Sequence, residues 1–151
     1  MKVVLCSDTE RLLSEESFSV YSACMYSPEY EAYKALMEQF LSDPCVKVFV
    51  CEKHGDTAGI LVLDETEAIP EIAGIAVTDE FRFQGIGRYM IYQVIKNEDL
   101  LMVKAQTDED SVGFYRKCGF TDERVVREFS DGLSVRYDCY LSRKTVADTE
   151  R

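Results

Sequence analysis

FRFQGIGRYM, residues 81–90, contains two glycines and two arginines and no acidic residue. It follows a predicted strand, AIPEIAGIAVTDE at 68–80, and leads into a predicted helix over 86–97. Glycine lets the backbone approach a ligand closely, and the first N–H groups of a helix have no partner within the helix. The stretch therefore predicts an anion-binding turn between a strand and a helix.

The chain around this turn is strongly acidic. Its 151 residues include 28 Asp and Glu against 17 Lys and Arg, for a net charge of -11. Residues 81–95 carry Arg82 and Arg88 and no acidic residue, so this segment has a charge of +2 within an acidic chain. The composition excludes a nucleic-acid binder, which needs a basic face, and a local positive site favours an anionic ligand.

The composition also predicts a single cytoplasmic domain over 1–141 and a polar tail at 142–151 that frays. The N-terminus lacks the apolar region of a signal peptide, and no apolar run reaches the roughly 18 residues that span a bilayer. The six cysteines form no C-x-x-C pair and there is one histidine, His54, in a predicted turn. Reduced thiols and no metal are therefore expected, rather than a zinc site or a disulfide framework.

The order of predicted elements is strand, two helices, three strands, helix, strand, helix and two strands. The helical region at 8–41 is expected to break at Ser27 and Pro28, which resemble an N-cap and a first helical position. A helix after residue 107 is expected to be capped by Asp108 or Asp110 and to end at Gly119. This order indicates an α/β architecture on a mixed sheet.

Three nucleotide-site patterns can be compared with the glycine turn. A dinucleotide fingerprint fails because Met90 stands where the third glycine belongs, and a P-loop lacks its Lys-Ser/Thr pair. The remaining pattern is Arg82-x-x-Gly85-x-Gly87. The structural alternative is a tight turn whose glycine only allows helix packing.

With this pattern the chain resembles the GCN5-related N-acetyltransferase (GNAT) superfamily. A second motif of that family, Phe-Tyr-x-Lys-x-Gly-Phe, is matched after the next strand by Phe114, Tyr115, Lys117, Gly119 and Phe120. The two motifs cover residues 71–120, and the element order extends the likeness to nearly the whole chain. The resemblance implies a central mixed, mostly antiparallel sheet of about seven strands flanked by four helices.

The resemblance also implies acetyl-CoA as the cosubstrate. Backbone N–H groups of the turn would hold the pyrophosphate, with Arg82 and Arg88 supplying charge. The backbone of the preceding strand would pair with the pantetheine arm as an added β-strand does. The implied cofactor-binding residues are Ile75, Ala76, Val77, Arg82, Phe83, Gln84, Gly85, Ile86, Gly87, Arg88, Asp108 and Phe114. Asp108 stands where many relatives carry asparagine, so a role in helix capping is an equal alternative.

Two residues are candidates for acid–base catalysis. Tyr115 matches the family tyrosine near the thioester sulfur and would protonate the leaving thiolate, although it could simply be a core aromatic. Glu71 lies eleven residues before Arg82, a spacing that resembles the histone-acetylating members of the family; the resemblance implies that Glu71 deprotonates the amine through water. Strand alternation is expected to put Glu71, Ala73, Ile75 and Val77 on one face. The alternative for Glu71 is an exposed carboxylate at a strand end.

These features predict an N-acetyltransferase that moves an acetyl group directly from acetyl-CoA to a primary amine of a small molecule or protein. The alternative is a CoA-binding sensor without turnover. The acidic residues Asp64, Glu65, Glu67 and Glu71 predict cationic acceptors such as polyamines, amino sugars or lysine-like amines, unless they only form a solvated face. The resemblance is compatible with a homodimer.

Overall fold

The computed structural model describes residues 1–151 and contains one seven-stranded sheet in the order β1-β2-β3-β4-β5-β7-β6. The strands are β1 (Lys2–Leu5), β2 (Val46–Lys53), β3 (Asp56–Asp64), β4 (Glu71–Val77), β5 (Met102–Thr107), β6 (Thr121–Phe129) and β7 (Gly132–Ser142). The helices are α1 (Thr9–Leu12), α2 (Glu15–Tyr21), α3 (Tyr30–Ser42), α4 (Ile86–Asn97), α5 (Val112–Lys117) and α6 (Arg143–Thr149).

Neighbouring strands are antiparallel except β4 and β5, which are parallel. The predicted mixed, mostly antiparallel sheet is therefore confirmed. His54 lies exposed in the turn between β2 and β3, as predicted. No helix is both long enough and apolar enough to cross a membrane.

Helices cover the two faces of the sheet unequally. On one side, here the α4 face, α4, α5 and α6 enclose the larger core, which includes Leu61, Val103 and Leu141. On the other side, the α2 face, α1, α2 and α3 pack over β2, β3 and β4, with Ile60, Val62 and Tyr33 in the core between them. Successive side chains of β5 and β7 point to opposite faces of the sheet. Because their apolar side chains, such as Val103 and Leu141, lie on the α4 face, the polar side chains between them lie on the α2 face beside β4.

Two expectations about the N-terminal helices are wrong. The N-terminal region contains an additional break, because the Asp8 and Ser14 side chains each cap a helix, α1 and α2 respectively. The next helix, α3, begins at Tyr30 with Glu29 as its N-cap, two residues beyond the expected Ser27 and Pro28.

The tail at 142–151 does not fray. Ser142 caps α6, and Val146 is 1% exposed in the core of the α4 face. The burial of Val146, the bond from Arg143 N–H to the Leu101 carbonyl and the ion pair between Lys96 and Glu150 hold this helix against the rest of the domain. The protein consequently has six α-helices where four were expected.

The expectation that Glu71 shares a face with Ile75 is also wrong. Leu63 pairs with Ile72 whereas Val62 pairs with Gly74, so β4 carries one extra residue at Ala73. Such a β-bulge reverses the alternation of side chains beyond it. Ile75 therefore packs on the α4 face, and Glu71, paired with Asp64, lies on the α2 face.

Candidate active site

The turn between β4 and α4 presents a continuous row of unused backbone donors. Phe83 and Gly85 have positive φ angles of 62° and 75°, which turn successive N–H groups toward one side. The N–H groups of residues 83–88 donate to no acceptor within the chain, and the first helical bond of α4 runs from Tyr89 N–H to the Gly85 carbonyl. A Cβ on Gly85 would have no atom within 4 Å, so the space in front of the turn is open.

The side chains around the turn are positive or polar. Arg82 Nε lies 3.0 Å from Asp79 Oδ1, whereas Arg88 has no acidic partner and lies over the Tyr92 ring. Lys53 Nζ donates to Gln84 Oε1 at 2.7 Å and brings a third cation to the turn. A cleft of about 360 Å³ opens here, and Gln84, Gly85 and Arg88 contribute to its lining. This combination of amide donors and cations suits a diphosphate.

The turn is joined to α5 by a close contact at Gly87. A Cβ at this position would stand 2.7 Å from Cε1 of Phe114, so the Phe114 ring lies directly on the helix backbone. Phe114 is 38% exposed and forms an edge contact with Tyr115, at 5.0 Å between ring centroids. The two sequence motifs are thus in physical contact.

β4 and β5 separate shortly after they meet. Their only register pair is Glu71 with Lys104, supported by a 2.9 Å bond from Lys104 N–H to the Pro70 carbonyl. Thr78 N–H donates to the Ala58 carbonyl of β3. Backbone hydrogen bonds alternate along an antiparallel pair, so the N–H and C=O groups of Ala76 also point toward β3. The backbone groups of Ile75 and Val77 therefore point the other way, into the gap. The gap between β4 and β5 therefore has a free strand edge that an extended ligand can pair with.

Tyr115 lies on the α4 side of this gap. Its ring is buried between Phe114 and Phe120, and its hydroxyl makes no hydrogen bond within the chain. Burial raises the pKa of Tyr115 above the ordinary tyrosine value, and the neighbouring thiols of Cys139, Cys118 and Cys24 add to this effect. The hydroxyl is therefore protonated at neutral pH and free to donate.

Glu71 lies on the other face, where it starts β4. Of the four acidic residues 64, 65, 67 and 71, it is the one whose carboxylate has neither a hydrogen bond nor an ion pair. The other three are engaged: Asp64 accepts from Thr66, Glu65 pairs with Lys47 at 3.0 Å, and Glu67 pairs with Lys104 at 3.2 Å. The Glu67 hydrogen bond is the main cause that raises the pKa of Lys104, and the charge of Glu71 contributes further.

Asp108 acts within the loop that leads to α5. Its Oδ1 accepts from Ser111 N–H at 2.9 Å, and its carbonyl accepts from Val112 N–H at 3.1 Å. The N-cap of α5 is Ser111 and not the expected Asp108 or Asp110. Asp108, three residues before this N-cap, stabilises the entry to the helix through these two hydrogen bonds.

Two side chains that no sequence motif marks also lie at the gap. Tyr21, the last residue of α2, is 3% exposed, and its hydroxyl lies against Gly74 of β4. Cys24, in the short helical turn after α2, is an exposed residue whose thiol donates to the Tyr21 carbonyl at 3.3 Å. The thiol also affects the pKa of both Tyr21 and Tyr115. These residues could not be found by spacing alone, because their position depends on how α2 packs over the bulge of β4.

Comparisons with known proteins agree with this geometry. Residues 44–122 match the sequence profile described as Acetyltransferase (GNAT) domain. A spermidine N-acetyltransferase chimera with Vibrio cholerae sequence has a TM-score of 0.71 at 16% identity, covering 98% of this chain and 99% of that one. The ribosomal-protein-S18-alanine N-acetyltransferase of Escherichia coli has a TM-score of 0.70 at 14% identity, covering 93% and 92%. No curated protein sequence matches the chain.

A third similar structure is a GNAT family acetyltransferase from Elizabethkingia anophelis with acetyl-CoA bound, with a TM-score of 0.69 at 19% identity over 93% and 97% of the two chains. These structural likenesses define the fold, and the profile match covers more than half of the chain. The protein belongs to the GNAT acetyltransferase family, whose acetyl donor is acetyl-CoA. The turn and the free edge of β4 fit this cosubstrate, because they offer amide donors to a diphosphate and strand pairing to an extended amide chain.

Proposed function

We propose that this protein is an N-acetyltransferase that moves the acetyl group of acetyl-CoA directly to a primary amine within a ternary complex. One observation supports this most strongly: six unused N–H groups at residues 83–88 stand at the end of a free strand edge that borders the gap beside Tyr115. A thioester would supply the activated acetyl group there. The protein's contribution is to hold the donor, admit an amine and move two protons.

In this proposal the cofactor-binding residues act through their backbones. N–H groups from Phe83 to Arg88 bind the pyrophosphate, and Arg88, which has no acidic partner, supplies the nearest free positive charge. Arg82 contributes less because Asp79 already holds it. Ile75 and Val77 pair with the pantetheine amides, whereas Ala76 stays bonded to β3.

Tyr115 and Glu71 carry the two proton transfers from opposite faces of the sheet. Tyr115 is protonated and without a partner, so it can give its proton to the departing thiolate. The Glu71 carboxylate has no hydrogen bond or ion pair on the α2 face, so it can accept the proton of the incoming ammonium, directly or through water. The amine then enters from the α2 face while acetyl-CoA lies on the α4 face.

The acceptor side has a mixed polar lining. Beside Glu71, the open part of the α2 face carries Lys104 and Gln106 of β5 and Asp138 of β7, which Arg127 holds at 2.7 Å. Since lysines neutralise Glu65 and Glu67, the local attraction for a cation rests on Glu71 and on the overall net charge. We expect cationic primary amines to be the better acceptors.

An amine panel tests the proposal. The purified protein is incubated with acetyl-CoA and with polyamines, amino sugars, lysine, lysine peptides and acidic amino acids, and acetylated amine is measured by mass spectrometry. We expect acetylated product in proportion to CoA released, with cationic amines preferred. Saturable acetyl-CoA binding without product from any acceptor would instead support the CoA-binding sensor.

A homodimer is also expected. β6 forms one edge of the sheet and exposes Val126 and Phe129, and such an edge is available for pairing. Light scattering at several protein concentrations tests this expectation, and a single monomeric mass throughout would contradict it.

A further inference from the structure

One arginine of β7, Arg136, has no acidic partner although it is half-buried. Most arginines of the chain each pair with a carboxylate, namely those at positions 11, 82, 116, 127, 143 and 151. Of the others, Arg88 and Arg124 are exposed, and Arg88 lies at the glycine turn. Arg136 differs from both, because its Nε is buried and makes no hydrogen bond.

Arg136 lies on the open part of the α2 face, the face that also carries Glu71. Its neighbour Tyr137 is buried in the core of the α4 face, so the side chains of Arg136 and Asp138 project from the opposite face of β7. The register between β6 and β7 is continuous here, with Arg136 opposite Val125, and no bulge changes this alternation. The unpaired arginine is therefore on the side of the sheet where the acceptor amine enters.

The two carboxylates nearest to Arg136 in the sheet do not bind it. Asp138 accepts a hydrogen bond from Gln106 at 3.1 Å and two from Arg127, the shorter at 2.7 Å. Glu123 lies diagonally across from Arg136 on β6, where it is exposed and forms no ion pair. The N–H donors of the Arg136 guanidinium are therefore free for a group from outside the chain.

A half-buried guanidinium without an acceptor is unfavourable by itself. Arginine keeps its proton in proteins, and buried donors nearly always have a hydrogen-bond partner. A charge that has been removed from water is stabilised when an opposite charge pairs with it. The planar fork of a guanidinium matches a carboxylate, which it binds through two parallel hydrogen bonds. Arg136 thus has the position and the chemistry to bind a carboxylate of a ligand on the α2 face.

We infer that Arg136 binds the carboxylate of the acceptor, and that the acceptor is a free diamino acid of the lysine or ornithine type. The inference rests on the proposed function, because it assumes that the acceptor amine lies beside Glu71. The unpaired carboxylate of Glu71 attracts the ammonium group, and the unpaired guanidinium of Arg136 attracts the carboxylate. Together the two side chains complement a molecule that carries both charges, and they distinguish it from a polyamine, which carries only one kind.

The geometry of the sheet indicates how far apart the two charges of the acceptor must be. Glu71 pairs with Lys104, and Lys104 pairs with Tyr140, so these residues form one row across β4, β5 and β7. Arg136 lies four residues from Tyr140 along β7. With strands about 4.8 Å apart and about 3.3 Å per residue, the Cα atoms of Glu71 and Arg136 are roughly 16 Å apart. A side-chain amine several bonds from its carboxylate suits this distance better than an α-amine.

The test compares amines that differ only in the carboxylate: lysine with cadaverine, and ornithine with putrescine. Wild type should have the higher kcat/KM for the amino acid of each pair. Arg136→Gln should lower the ratio of kcat/KM within each pair by roughly 10- to 100-fold, because a charged hydrogen-bonding partner is lost. The change should appear mainly in KM for the amino acid, since the carboxylate is bound alike before and during the reaction. Arg136→Lys, which keeps the charge without the fork, should restore part of each ratio.

Arg124→Gln is the matched control. It removes an unpaired arginine from the neighbouring strand with the same change in net charge, but Arg124 lies opposite Tyr137 and hence on the α4 face. Both ratios should therefore keep their wild-type values in this variant. Glu123→Gln should not lower either ratio, since Glu123 does not hold Arg136. Calorimetric titration with acetyl-CoA shows that each variant is folded.

The outcomes separate this inference from the proposed function. If wild type acetylates no amine of any kind, the proposed function itself fails. If it acetylates other amines but neither member of either pair, or does not prefer the amino acids, the inference is overturned. It is also overturned if the ratios are the same in Arg136→Gln as in wild type. An equal decrease in Arg124→Gln would overturn it as well, because the effect would then come from net charge and not from binding at Arg136.

Discussion

Replacing Gly85 with glutamate should abolish acetyl-CoA binding while leaving a folded protein. Gly85 has a φ of 75° and open space around the position of a Cβ. A side chain there costs about 1–2 kcal/mol of stability, because non-glycine residues disfavour this conformation. In the complex, however, the new carboxylate would face a diphosphate bound to the N–H groups of residues 83–88. At roughly 4–5 Å and an effective dielectric of about 20, each like-charge pair costs on the order of 3–4 kcal/mol.

The expected loss of affinity is therefore at least about 10²-fold. Gly132→Glu provides the control, since Gly132 also has a positive φ, of 122°, and nothing within 4 Å of its Cβ position, but lies in the turn between β6 and β7. Calorimetric titration with acetyl-CoA and a urea unfolding curve would be recorded for both variants. Equal stability losses with an affinity loss in Gly85→Glu alone are predicted. Wild-type affinity in a folded Gly85→Glu protein would remove the assignment of this turn to the pyrophosphate.

Three further predictions concern catalysis and pH. Tyr115→Phe should reduce kcat on the order of 10²-fold or more with little change in acetyl-CoA affinity, and a near wild-type kcat would make Tyr115 a core residue only. Cationic acceptors should lose kcat/KM as salt is added, and Glu71→Gln should remove most of that salt dependence; a clear preference for acidic acceptors would contradict this. Burial tends to raise the pKa of Asp138, but bonds from Gln106 and Arg127 outweigh it and the pKa is lowered. The ionised Asp138 carboxylate therefore stabilises the folded state fully above about pH 4, the pKa of aspartate in the unfolded chain. This stabilisation is lost as the pH falls through the lower pKa that Asp138 has in the folded protein. Urea unfolding should show Asp138→Asn less stable than wild type at pH 7, by a difference that shrinks as the pH falls below about 4; a difference that stays constant with pH would refute this.

The sequence predicts those parts of the site that depend on short-range rules. The helix over 86–97 and the end of α5 at Gly119, with φ of 99°, follow from glycine placement and apolar periodicity, and both are confirmed. The bulge at Ala73 could not be predicted in this way, because it depends on hydrogen bonding with β3 and not on the composition of β4. One extra residue there moves Glu71 to the face opposite Ile75.

The acceptor side depends on packing between distant segments, which local patterns do not describe. Tyr21 and Cys24 lie fifty residues before Gly74 and Ile75, and they reach the gap only because α2 ends over β4. The tail was equally hard to predict, because the burial of Val146 and the ion pair between Lys96 and Glu150 join α6 to residues that are distant in sequence. Even the pairing of Glu67 with Lys104 follows from the register of β4 against β5.

The central claim is that the acetyl group passes directly between β4 and β5 to an amine. A rapid-quench single turnover with [¹³C]acetyl-CoA and the best acceptor from the amine panel tests it most directly, with CoA, acetylated amine and acetylated protein measured in the same samples. We predict that CoA and acetylated amine appear at one rate and in equal amounts, with no labelled protein at any time. A burst of CoA before product, with the label on Cys24 or another side chain, would contradict direct transfer.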